Sequence, residues 1–241
     1  MTILYKSITR IDREPDSHWV GDGFPVRTLF SVQRDGATIS PFLLFDYAGP
    51  RHFAPAPAAR GVGQHPHRGF ETVTIVYHGE LEHRDSARHH GHIGPGDVQW
   101  MAAAAGVLHE EFHSSAFTRS GGLFEAVQLW VNLPAKNKMG SPRYQTLLDA
   151  QIPRVNLPGS SGQLRVIAGD YAGQHGPALT YSPVNVWDLR LLAGKSVDLE
   201  FPQADTTIVA LLHGSLRINE STVLAEAQAA HFWPRGRPHQ A

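Results

Sequence analysis

Thr72-Val-Thr-Ile-Val-Tyr-His-Gly-Glu-Leu-Glu-His83 and Thr207-Ile-Val-Ala-Leu-Leu-His-Gly-Ser-Leu-Arg-Ile218 lie 135 positions apart, with Thr, His, Gly and Leu coinciding and most apolar positions in agreement. Each reads as strand, tight turn at His-Gly, strand: β-branched and aromatic residues favour a pleated chain, and glycine supplies a turn's positive φ. Runs of the same kind recur between turn clusters along the chain. Examples are Phe42 to Tyr47, Val98 to Met101, Val107 to Phe112, Phe124 to Leu133, Leu164 to Ala168 and Val186 to Leu192. Such spacing predicts an all-β protein, a sandwich or a barrel. Helical periodicity is weak, and the best short candidate is Ser141 to Leu148, with Pro142 near its start and Tyr144, Leu147 and Leu148 on one side.

The 241 residues suffice for one large β domain or two small ones. Only 18% are charged, whereas glycine (23) and proline (17) are plentiful, which suits many short strands and turns. With no cysteine, disulfides, thiolate metal sites and thiol nucleophiles are excluded, so any metal must use His and carboxylate ligands. The 21 Lys and Arg balance 22 Asp and Glu, leaving no electrostatic footprint for nucleic acid or an anionic membrane. No apolar run approaches the ~20 residues that span a bilayer. A soluble, cytoplasmic protein is expected.

The stretch from Pro134 to Gly162 is rich in proline and in Gly159-Ser-Ser-Gly162, and has few strand formers. It divides the chain into an N-terminal domain (1–135), a connector (136–162) and a C-terminal domain (163–241). The halves are not equivalent. Shifting His65 and His67 by 135 positions lands on Glu200 and Pro202, so the second half cannot repeat the histidine pair. Chemistry is expected in the first half and support from the second.

Nine of the 15 histidines fall between His65 and His113. In His65-Pro-His67 the two imidazoles, two residues apart on an extended strand, share a face. His109-Glu-Glu111 repeats that geometry: His109 and Glu111 point one way and Glu110 the other. Three imidazoles and a carboxylate suit a divalent first-row metal, with coordination positions left for substrate, water or dioxygen. By spacing alone, the same residues also fit ordinary core or surface histidines. His83, His89, His90 and His92 stand beside Arg84, Asp85 and Arg88, before the Gly94-Pro-Gly-Asp97 turn, and read as a solvated hairpin loop. Gly-x-Ser-x-Gly and a P-loop are absent. Gly61-Val-Gly63 is followed by Gln-His-Pro-His and not by a helix, which removes a dinucleotide site.

The chain resembles the pirin family, a branch of the bicupin proteins. The resemblance runs through Pro41-Phe-Leu-Leu-Phe-Asp46, His65-Pro-His-Arg-Gly-Phe-Glu-Thr-Val73, Gly94-Pro-Gly-Asp-Val-Gln-Trp-Met101, Ala104-x-Gly106-Val-Leu-His-Glu-Glu111 and Gln128-Leu-Trp-Val-Asn-Leu133, in the family's order from about Ile8 to Gly169. It implies two stacked antiparallel β-barrels of jelly-roll type, the N-terminal one holding one divalent metal. Iron is the first expectation, with Mn, Ni, Cu, Co and Zn open. The family's ligands carry over to His65, His67, His109 and Glu111. The general cupin pattern His-x-His-x3-Glu would instead nominate Glu71, but the pirin pattern uses the later Glu.

The second half departs from the family, and the segment 229–241 does not look like a pirin terminus. By the internal repeat, the counterpart of Val107 to Leu133 would begin just past Ala241, and a barrel missing those strands would expose unpaired edges, so the expectation is that either other segments cover them or the chain is truncated. The resemblance implies a quercetin 2,3-dioxygenase-type oxidoreductase acting on a flavonol-like aromatic substrate with dioxygen, with Glu111 as general base. Trp100 and Trp130 are candidates for the pocket wall and equally for plain core. The alternative is a non-enzymatic, metal- or redox-sensing regulatory protein that binds a protein partner. A monomer is expected.

Overall fold

The computed structural model describes residues 5–13 and 16–232. Every strand run expected from the sequence lies within an observed strand, or ends one residue beyond it. The largest sheet has seven antiparallel strands in the order Arg143–Leu147, Val98–Ala102, Phe70–His78, Gly122–Asn132, Phe42–Phe53, Phe24–Ser31, Ser17–Val20. A four-stranded antiparallel sheet, Gly61–His67, Val107–His113, Leu81–Asp85, His90–Ile93, faces it.

Side-chain alternation explains why the large sheet carries two different cores. On its inner face Val76, Phe124 and Ala126 pack with Leu81 and Ile93 of the small sheet. On its outer face Val73, Ile75, Val98, Trp100, Val127 and Leu129 pack against Ile167, Ala168, Val184 and Val186 of the second half. Both faces are therefore apolar, and the sheet is a shared wall between the metal-ligand candidates and the C-terminal half.

In that half, Gly162–Ala168 pairs with Arg154–Asn156 and Val186–Leu191. Gln228–Phe232 lies between Thr207–Leu211 and Ile8–Asp12, so a strand from the start of the chain covers an edge of the second half's sheet. Residues 233–241, the rest of the atypical C-terminal segment, lie outside the described residues.

Two expectations are corrected. The strands on either side of each His-Gly turn do not pair with each other as a hairpin. Phe70–His78 and Leu81–Asp85 enter different sheets, and so do Thr207–Leu211 and Leu216–Ile218. Gly79 and Gly214, at φ 83° and 81°, turn the chain at a corner between sheets. The repeat itself is visible in the pairing: in each half four successive strands pair first with fourth and second with third. Second, Ser141 to Leu148 is not helical. Arg143–Leu147 pairs with Val98–Ala102, burying Leu147 on one face and packing Tyr144 against Met101 and Val107 on the other. The free edge of Val98–Ala102 outweighs a weak local helical pattern. Strand pairing also links the segments on either side of 135 and 163: the connector strand Arg143–Leu147 pairs in the N-terminal sheet, and Ile8–Asp12 pairs in the C-terminal one.

Among the described residues no helix is long and apolar enough to cross a membrane.

Candidate metal centre

His65 and His67 stand on the edge strand Gly61–His67, and His109 on its neighbour Val107–His113, where His109 lies directly opposite His65. Pleating turns all three rings toward the large sheet. His109 Nε2 is 2.9 Å from His65 Nε2, which is 3.2 Å from His67 Nε2. Two nitrogens bound at right angles about 2.1 Å from one ion stand about 3.0 Å apart. The observed spacing is therefore that of adjacent ligands on a single metal. Burial depresses His67 to about 3 and His109 to about 4, so both rings are neutral at physiological pH and offer lone pairs. The donor set fits a divalent metal.

Glu111 lies on the same face of its strand as His109, as alternation requires. Its carboxylate falls in a second cluster with His83 and His109, and the two clusters share His109. The large sheet supplies its partners. Gln99 Nε2 donates to Oε1 (2.8 Å), Gln128 Nε2 to Oε2 (2.9 Å), and the Thr74 hydroxyl lies 3.5 Å from Oε1. Behind them Tyr144 Oη donates to Gln99 and the Trp130 indole to Gln128. Burial pushes the Glu111 carboxyl up, but His109, His83 and the two amides together outweigh it and hold it below the ordinary carboxylate range. Glu111 is ionised at neutral pH.

Glu71, the residue of the general cupin pattern, is one strand position out of phase. It projects from the outer face of Phe70–His78, fully buried near Trp100 and Arg143, away from the imidazoles. Trp100 likewise belongs to the outer core. Trp130 faces inward, its ring 5.2 Å from that of His67 and 4.5 Å from that of Phe70. An open depression of about 300 Å³, lined by Pro66, His67, Arg68, Ser86, Gly106, Val107 and Leu108, reaches the surface beside His67.

The loop reading of His83 is corrected. His83 is 2% exposed, its ring stacked on Tyr144 at 4.7 Å. His90 and His92 are exposed as expected, and His89 is half-buried. The loop signals around Asp85 and Arg88 begin only where the Leu81–Asp85 strand ends. Leu81, His83 and Asp85 share a parity, a signal that the charged neighbours Glu82 and Arg84 obscure. His113 is also buried, but it sits among Phe24, Phe53, Phe117 and Phe124 with Nε2 donating to the Gly23 carbonyl, and takes no part in the cluster.

Facing antiparallel sheets enclosing three converging imidazoles define an all-β protein built around an imidazole-lined centre. The chain belongs to the pirin family, whose family model matches residues 23–131. It is 60% identical over 93% of its length to a Pseudomonas aeruginosa protein provisionally named a quercetin 2,3-dioxygenase, and spans 78% of that protein. It is 36% identical over 80% of its length to a pirin-like protein of Solanum lycopersicum, spanning 62% of that relative, less than two thirds. The crystal structure of a quercetin 2,3-dioxygenase from Acinetobacter baumannii superposes with a TM-score of 0.94 at 50% identity, covering 97% of this chain and 81% of that one.

Proposed function

We propose that the chain is a metal-dependent dioxygenase of the quercetinase type, with a two-barrel fold, acting on a flavonol-like substrate. The observation that carries the reading is the convergence of the His65, His67 and His109 nitrogens at 2.9 and 3.2 Å on one point behind a surface opening. The similarity to the Pseudomonas and Acinetobacter proteins supports the choice of reaction. His65, His67 and His109 would hold the metal, iron by preference, with Glu111 as the fourth ligand. Such an ion supplies Lewis-acid and redox chemistry toward a 3-hydroxy-4-keto aromatic compound and dioxygen.

The remaining work falls to the chain's own residues. Glu111, ionised and aimed inward, accepts the proton of the substrate's 3-hydroxyl at a carboxylate oxygen. Gln99 and Gln128 hold that carboxylate in one orientation by an amide donor on each oxygen. Trp130 and Phe70 wall His67 and exclude water from its inner side. The test is oxygen uptake by metal-loaded protein supplied with quercetin. Uptake matched to flavonol loss is expected. A fully loaded protein that consumes neither would refute the enzyme and favour a regulatory role in which the metal alters a surface for a protein partner.

A further inference from the structure

His109 belongs to both carboxylate- and imidazole-rich clusters, yet a neutral imidazole has one lone pair and can serve only one of them through a ring nitrogen. The hydrogen bonds behind it decide which. Asp85 is fully buried at its side chain. Its Oδ1 accepts from the backbone N–H groups of Ala87 (2.9 Å) and His89 (3.0 Å). Its Oδ2 faces His89 Nδ1 at 2.9 Å and His83 Nε2 at 3.3 Å. A carboxylate only accepts, so His83 Nε2 carries the proton, and neutral His83 presents a lone pair at Nδ1. That nitrogen lies 3.3 Å from His109 Nδ1, which must therefore be the N–H. The lone pair of His109 is then on Nε2, facing His65.

His65 is fixed in the same sense from the other side. Its Nδ1 donates to the Gly63 carbonyl at 2.9 Å, leaving its own lone pair on Nε2. Two lone pairs thus face each other across 2.9 Å, an arrangement that a shared cation satisfies and a proton-bearing partner does not. We propose that Asp85 and His83 are positioning residues, a hydrogen-bonded relay that fixes the tautomer of His109 and directs its Nε2 to the metal shared with His65 and His67. The inference rests on the metal centre proposed above. It also assigns the second cluster: His83, His109 and Glu111 do not form an alternative ion site, because His109 Nδ1 is committed as a donor. Tyr144, stacked on His83 and hydrogen-bonded to Gln99, locks the relay ring and the Glu111 support together.

Asp85→Asn tests the relay with almost no change of shape. The two backbone N–H groups at Oδ1 keep the amide oxygen there, so the new NH2 replaces Oδ2 and faces His83 Nε2 as a donor. His83 must then move its proton to Nδ1, and His109 must take its own to Nε2. In metal-free protein, imidazole 15N shifts are expected to report His109 as the Nδ1–H tautomer in wild type and Nε2–H in the variant. Iron(II) affinity, measured by chelator competition, is expected to fall about 10- to 100-fold, the usual cost of losing such a partner. His83→Leu should lower affinity similarly, whereas His83→Gln, whose amide oxygen can accept from His109 Nδ1, should recover most of it. An unchanged His109 tautomer in Asp85→Asn, or equal affinities for the Leu and Gln variants, would overturn the proposal. If wild type held no metal at all, the metal-centre reading would fail, while the metal-free spectra would still judge the relay.

Discussion

Replacing Glu71 by Gln should make the protein more stable at alkaline pH and leave it nearly unchanged in acid. Glu71 is 0% exposed, and neither carboxylate oxygen has a hydrogen-bond partner. Burial pushes its pKa up to about 7, and the Trp100 indole and the Arg143 guanidinium, 4.0 Å away, pull it back only in part. The folded state therefore binds the proton more tightly than the unfolded chain, where the carboxyl titrates near 4.5. Stability from this group is fully present below pH 4.5 and is lost as pH rises through 7.

Between 4.5 and about 7, at ~1.4 kcal/mol per pH unit, this amounts to about 3 kcal/mol lost by pH 8. In a chain of this size that corresponds to roughly 6–12 °C in Tm. Gln does not titrate and preserves the side-chain volume, so calorimetric Tm curves of wild type and Glu71→Gln, taken at equal metal loading, should converge at pH 5 and separate by pH 8 with the variant higher. Metal content should be equal in the two, since Glu71 faces away from the imidazoles. Parallel curves across this range would show that Glu71 ionises freely in the folded protein and would refute the reasoning.

His67→Ala should lose most of the bound metal by elemental analysis, because it removes one of three converging nitrogens, whereas His90→Ala, on the exposed side of its hairpin, should retain it. Glu111→Gln should weaken the metal. When fully loaded it should still turn quercetin over ~10²- to 10⁴-fold more slowly if Glu111 accepts the substrate proton, and equal loaded rates would confine Glu111 to a binding role. Metal titration of wild type should saturate at one ion per chain, as the second half has Glu200 and Pro202 where the histidine pair would recur.

Strand parity made much of the site legible. It chose Glu111 over Glu110, and the structure places Glu111 and His109 on one inward face. Parity would also have rejected Glu71, one and three residues away from the inward-facing Thr72 and Thr74, and would have placed Trp130 inward and Trp100 outward. His83 and Asp85 were hidden for a different reason. Their burial depends on the large sheet and Tyr144 covering them, and Tyr144 lies in a segment whose local pattern favours a helix. Tertiary pairing with Val98–Ala102 decided that segment against its local preference. The covering of Gln228–Phe232 by Ile8–Asp12 joins opposite ends of the chain, and no local signal in either stretch names the other.

Anomalous scattering at the metal edge, from crystals of metal-loaded protein, addresses the central claim most directly. The expected map has one peak, bounded by Nε2 of His65, His67 and His109, with none in the C-terminal half. A peak centred on the His83, His109 and Glu111 cluster, or on residues of the second half, would contradict the account.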